Sequence, residues 1–106
     1  MERVCFTLQI SRDRVEEYKK AHANVWPEMR EALKRTGWHN YSLFIRDDGL
    51  LVGYLETPDF KRALADMQLE PINAEWQAAM KPLFEGLETG AADTSMRPLQ
   101  SVFFLQ

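Results

Sequence analysis

Pro27 constrains this chain more than any other single residue, because it interrupts a helical pattern that would otherwise run from Asp13 to Gly37. Proline has no N–H to donate, and it biases the preceding residue away from the αR region. The spacing therefore predicts a helix that enters at Asp13 and stops near Ala23, and a second helix with Pro27 as its first residue. Asp13 with Glu16 reads as a capping box, and Val15, Tyr18, His22 and Val25 line one face. Beyond Pro27 the face continues through Met29, Leu33 and Thr36, and Gly37 closes the helix. Tyr18, His22 and Trp26 recur at helical spacing, so a phenol, an imidazole and an indole share one side of the break. His22 falls in the last turn before it, where the partial negative charge of a helix C-terminus favours a protonated imidazole. On spacing alone His22 has two readings, a hydrogen-bonded packing residue or a proton donor.

Around the broken helix the pattern alternates between two periods. Val4, Phe6, Leu8 and Ile10 alternate with Cys5, Thr7 and Gln9, which predicts a half-buried strand. His39 to Arg46 and Leu50 to Thr57 predict two more strands, joined as a hairpin through Asp47-Asp48-Gly49. Thr57-Pro58-Asp59 reads as a helix start with proline at the first position, and Phe60, Leu64 and Met67 follow at helical spacing until Pro71. Asn73 reads as the N-cap of a further helix carrying Trp76, Met80, Leu83 and Leu87, kinked or stopped by Pro82. Glu88 to Arg97 has no periodicity and reads as a loop, and Leu99 to Leu105 predicts a final strand.

That order gives an α+β class: a ferredoxin-like split βαβ sandwich in which helices cover one face of a four-stranded antiparallel sheet. At 106 residues the chain is expected to form a single domain over 1–106. Phe44, Leu51, Leu55 and Phe104 are expected to supply apolar content to the uncovered sheet face, so a homodimer with two sheets face to face is expected. The long loop would let Leu99 to Leu105 reach the partner's sheet.

The net charge of −3 and the lack of a Lys/Arg cluster interleaved with aromatics argue against nucleic acid. One cysteine rules out an internal disulfide and a cysteine-based zinc cage. The N-terminus lacks the apolar run of a signal peptide or membrane span, so the expectation is a cytoplasmic protein with no membrane partner. His22 and His39 make no metal site at ligand-like spacing. Neither a P-loop nor a dinucleotide-binding glycine pattern is present.

Tyr18, His22, Tyr41 and Trp76 come from different elements that can converge on one end of such a sheet. Two phenols and an imidazole exchange protons and hydrogen bonds, and an indole offers the apolar plane on which sugars stack; each of these residues also has a plain core reading. Tyr18 and His22, Asn24-Val25-Trp26-Pro27-Glu28, Gly37, His39-Asn40-Tyr41, Trp76 with Met80, and Val102-Phe103-Phe104-Leu105 together resemble the L-rhamnose mutarotase family. The resemblance spans nearly the whole chain. It implies that His22 is the proton donor and that Tyr18, Tyr41 and Trp76 bind the sugar. Gln77 joins that set at a position where some members carry a second tryptophan. It also implies a dimeric α/β barrel that needs neither metal nor organic cofactor.

Interconverting the α and β anomers of a pyranose needs a proton delivered to the ring oxygen and another removed from the anomeric hydroxyl, for which paired acid and base groups suffice. The sequence leaves the base unassigned; a tyrosine would need a depressed pKa to serve near neutrality. Two other functions fit the same scaffold: a cofactor-free monooxygenase of the dimeric ferredoxin-like type, and a noncatalytic small-ligand-binding module.

Overall fold

The computed structural model describes residues 1–87 and 90–106. Five strands and four helices alternate along the chain: β1 (Glu2–Ile10), α1 (Val15–Ala23), α2 (Pro27–Arg35), β2 (His39–Ile45), β3 (Leu50–Thr57), α3 (Phe60–Gln68), α4 (Pro71–Met80), β4 (Phe84–Glu85) and β5 (Arg97–Pro98). The class is α+β, with one antiparallel sheet ordered β2-β3-β1-β4. The first strand is thus an interior one. On one side it pairs with β3, Val4 opposite Leu55 and Leu8 opposite Leu51, and on the other with the short β4 and β5. Period-two alternation sends Val4, Phe6 and Ile10 of β1 and Leu51 and Leu55 of β3 into the core, where Val15, Tyr18, Met29, Ala32, Ala63, Met67 and Trp76 of the helices meet them. Among the described residues no helix is long and apolar enough to cross a membrane.

The helix break forms where Pro27 requires it. α1 ends at Ala23, and Pro27 opens α2 after an extended Trp26. Gly37 ends α2 at φ +91°, a left-handed conformation that glycine adopts without a Cβ penalty. Gly37 N–H donates to the Lys34 carbonyl at 3.2 Å and Trp38 N–H to the Leu33 carbonyl at 3.0 Å, which is a Schellman closure. This closure throws Trp38 into the core at 6% exposure and launches β2.

Several local expectations are corrected. Asp13 lies inside a 3₁₀ turn, Arg12–Arg14, and neither that turn nor α1 has a side-chain cap, so the Asp13/Glu16 box does not form. α3 starts two residues later than expected, at Phe60 rather than Pro58: Asp59 is the N-cap, its side chain accepting from Arg62 N–H at 3.2 Å. Pro71, expected only as a stop, is the first residue of α4, and this places Asn73 inside the helix and buries it at 3% exposure. Leu83 and Leu87 lie beyond that helix, since Pro82 ends it at Met80 and tightens the chain into the 3₁₀ turn Lys81–Leu83. Within the expected loop, Ala92–Thr94 form a 3₁₀ turn and β5 starts at Arg97, while Glu88 and Thr89 lie outside the described residues.

Two corrections concern the sheet faces and the end of the chain. Leu51 and Leu55 point to the helices, at 1% and 0% exposure, because β3 is in register with the inward set of β1. The uncovered face carries Phe44, 64% exposed, opposite Val52. Leu99 to Leu105 is not a strand. Arg97 and Pro98 take the free edge of β1, Leu99 N–H makes one bond to the Cys5 carbonyl at 2.7 Å, and the tail then departs with Val102, Phe103 and Leu105 at 79% exposure or more. Backbone ladders need a partner, and among the described residues this tail finds none in its own chain. The Arg3 guanidinium lies 3.6 Å above the ring of Phe104.

Candidate active site

The break between α1 and α2 sets the first half of the site. Tyr18 and His22 are one helical turn apart, and their rings stack at 4.0 Å with 26° between planes. The His22 Nδ1–H donates to the Tyr18 carbonyl one turn back in α1, at 3.0 Å. A carbonyl can only accept, so the bond fixes the tautomer and leaves Nε2 for chemistry. Burial lowers the proton affinity of His22 and prevails over the hydrogen bond to the Tyr18 carbonyl, which raises it, so His22 lies below its ordinary pKa, the opposite direction from the one that the helix end suggests. The imidazolium is thereby a stronger acid than a solvated histidine, and less abundant at neutral pH.

α4 supplies the facing wall. Asn73, Trp76, Gln77 and Met80 recur at intervals of three and four, so all four line one cavity of about 480 Å³ together with Tyr18, His22 and Tyr41. Trp76 meets His22 edge to face at 5.3 Å and Trp26 at 5.0 Å. Tyr41 enters from β2, between Trp38 at 5.0 Å and Phe6 at 6.4 Å. The structure therefore brings Tyr18, His22, Tyr41, Trp76 and Gln77 to one place. Burial pushes both phenols up, aided at Tyr18 by Tyr41 and at Tyr41 by the charge of Asp93. This is the opposite direction from the one a tyrosine base needs, so the phenols serve as neutral hydrogen-bonding groups.

Sequence reasoning missed the polar floor of this cavity. Asp93, in the turn Ala92–Thr94, is 6% exposed, and its Oδ2 accepts from Asn73 Nδ2 at 2.7 Å and Gln68 Nε2 at 2.8 Å. Gln77 Nε2 donates in turn to Asn73 Oδ1 at 3.2 Å. Flipping the Asn73 amide would break both of its bonds, so the network fixes its orientation. Three buried atoms on cavity-lining side chains have no hydrogen-bond partner: Asp93 Oδ1, Gln77 Oε1 and Trp38 Nε1. Each such group costs about 1–3 kcal/mol when left unmet, which is tolerable where a polar ligand meets it. Asn73 did carry a signal, being a carboxamide three residues before Trp76 on the same helical face. Asp93 carried none, because it lies in a stretch without periodicity.

The chain matches the family model for L-rhamnose mutarotase over residues 3–105. It is 37% identical over 106 residues to an L-rhamnose mutarotase of Lactiplantibacillus plantarum, covering 99% of each chain. It is 39% identical over 88 residues to one of Bacillus subtilis, covering 80% of this chain and 82% of the relative. A crystal structure of an L-rhamnose mutarotase from Formosa agariphila superposes with a TM-score of 0.84 over the full length of both chains, at 23% identity, so the fold is shared where sequence has drifted. On the match over residues 3–105 and these identities, the chain belongs to the L-rhamnose mutarotase family.

Proposed function

We propose that this protein interconverts the α and β anomers of L-rhamnose, with His22 delivering a proton to the ring oxygen and the sugar held by Tyr18, Tyr41, Trp76 and Gln77. Members of the family are isomerases that act on sugar anomers, and the cavity supports that chemistry here. The observation that carries the reading is an imidazole whose Nδ1 is fixed and whose Nε2 has no hydrogen-bond partner among the described residues, in a cavity lined by side chains that hold buried unmet hydrogen-bonding atoms. A monosaccharide brings both hydroxyl donors and acceptors to such a wall, and its volume suits a site of about 480 Å³. Because anomers already exchange slowly in water, general acid–base catalysis worth ~10²–10⁴-fold is enough, and no cofactor is required.

The finer architecture belongs to the same proposal. The element order follows the split βαβ plan, and we read the chain as a single ferredoxin-like domain, cytoplasmic, which pairs as a two-fold homodimer into an α/β barrel. Phe44 on the uncovered sheet face and the exposed tail from Val102 to Leu105 support the dimer. In it the tail finds, on the partner's sheet, the strand edge that it lacks within its own chain.

Saturation-transfer NMR at the anomeric protons tests the activity across a panel of sugars. Anomer exchange should accelerate with L-rhamnose, and His22→Ala should lower that acceleration by ~10²-fold or more while the fold is retained. Near wild-type exchange by His22→Ala at saturating sugar removes His22 from the mechanism. Binding of L-rhamnose without faster exchange reassigns the protein as a binding module.

A further inference from the structure

Ring opening needs a proton acceptor as well as a donor, and both phenols of the cavity are pushed away from that role. Among the described residues lining the cavity, Asp93 is the one carboxylate. Its placement is built rather than incidental. Two amide N–H groups from different helices, Gln68 at the end of α3 and Asn73 in α4, converge on Oδ2 and hold the group at 6% exposure. All of the side chain's hydrogen bonding is thus concentrated on one oxygen, while Oδ1 is buried without a partner. A core carboxylate kept for structure would be expected to satisfy both oxygens, since an unmet buried acceptor is costly. The charge of Asp93 is also felt at Tyr41, which places the carboxylate on the side of the cavity where β2 enters.

We propose that Asp93 is the proton acceptor that completes the pair with His22, taking the proton of the anomeric hydroxyl on Oδ1. The proposal rests on the sugar-anomer reading above. In the opening step the O1–H proton passes to Asp93, and the electron pair of that bond forms the C1=O1 carbonyl. The C1–O5 pair leaves with the ring oxygen, and O5 takes the proton that His22 carried on Nε2. The open aldehyde turns about C1–C2, and closure runs the transfers backwards: His22 recovers its proton from O5, and Asp93 returns its own to O1. No atom is gained or lost, and the two groups hold two protons fewer or more between them at no point in the cycle. Gln68 and Asn73 are positioning residues in this scheme, and Gln77 acts one bond further out by orienting Asn73.

The test is anomer exchange of L-rhamnose by the full chain, with wild type, Asp93→Asn and Asp93→Ala. Asp93→Asn preserves shape and removes the acceptor, so kcat should fall by ~10²-fold or more, with KM changing by less than about threefold. Added formate should restore part of the exchange to Asp93→Ala in a concentration-dependent way, which a merely structural role would not allow. Wild-type kcat in Asp93→Asn overturns the assignment, as does a folded Asp93→Ala that formate leaves unchanged. Should Asp93→Asn fail to fold, the formate arm decides the question alone. If the wild-type protein accelerates exchange and the variants do too, only Asp93 is excluded; if wild type itself does nothing to L-rhamnose, the sugar reading falls and Asp93's role with it.

Discussion

Replacing Gly53 by alanine should destabilise the protein although the change adds a single methyl group to a strand. Gly53 sits in the middle of β3, opposite Phe6 of β1 and Leu43 of β2. A Cβ built on it would lie 2.2 Å from Phe6 Cζ and 2.6 and 2.7 Å from the two Cε atoms, so the ring lies directly over the glycine. Phe6 is fully buried, and its ring has Tyr41 on one side at 6.4 Å, so it cannot swing into water to make room. Overpacking of this kind costs ~1–3 kcal/mol. Alanine in a strand returns about 0.5–1 kcal/mol through the lower entropy of the unfolded chain. At the middle of both ranges the net loss is about 1 kcal/mol, which for a domain of this size lowers Tm by ~4–8 °C. Thermal unfolding by circular dichroism measures it, at one protein concentration and without ligand, since association and binding both shift Tm. Phe6 also lines the cavity, so the displaced ring should raise KM for the sugar as well. An unchanged or higher Tm would show that the ring is free to move and that the close packing inferred at this position is wrong.

Four further outcomes are expected. Trp76→Ala should weaken sugar binding, and wild-type tryptophan fluorescence should respond to L-rhamnose; flat fluorescence together with intact binding would reduce Trp76 to core packing. If His22 donates its proton, kcat/KM for anomer exchange should rise as pH falls below 6.5 and level off beneath the depressed pKa of His22, whereas a rise with increasing pH over that window makes His22 the acceptor. The same depression makes the neutral imidazole the form that the fold prefers, so His22's contribution to stability is present above pH 6.5 and lost as pH falls through its folded value, which denaturant midpoints across that range would register. Deleting residues 98–106 should abolish both dimerisation and soluble expression; a stable full-length monomer in sedimentation equilibrium at micromolar concentration sinks the dimer, and a soluble dimer after the deletion sinks tail exchange.

What could be read from the sequence followed from backbone chemistry. Pro27 and Gly37 act on their own φ values and hydrogen bonds, so both ends of α2 were legible without knowledge of the fold. Alternation found β1, one face of which is buried, and β-rich composition on either side of Asp47-Asp48-Gly49 found β2 and β3. Face assignment across strands failed for Leu51 and Leu55, since alternation fixes which residues share a face but not which face the helices cover. The tail from Leu99 to Leu105 has strand-forming composition and no strand partner in its own chain, and composition carries no information about partners. At the site, helical spacing found Tyr18, His22 and Trp76 because each lies on a regular element, whereas Gln77 was reached only through the family resemblance. Asp93 was out of reach: its role depends on contacts to Gln68 and Asn73, which are distant in sequence and joined to it only by the folded chain.

The position of β1 inside the sheet also sets an order of events in time. Of the described strands this one is synthesised first, yet its last edge partner, β5, is made roughly ninety residues later. At about 5–20 residues per second, that interval is ~5–20 s. For most of it Val4, Phe6, Leu8 and Ile10 are on a segment that the N-terminal half of the chain cannot fully enclose, because α4 and its Trp76 are also still to come. The turn carrying Asp93 is synthesised within the same closing stretch, so the nascent chain acquires its sheet edge and its buried carboxylate almost together. Slowing translation over the codons for the Asp93 turn and β5 would lengthen the life of the unsealed strand without altering a single contact in the finished molecule.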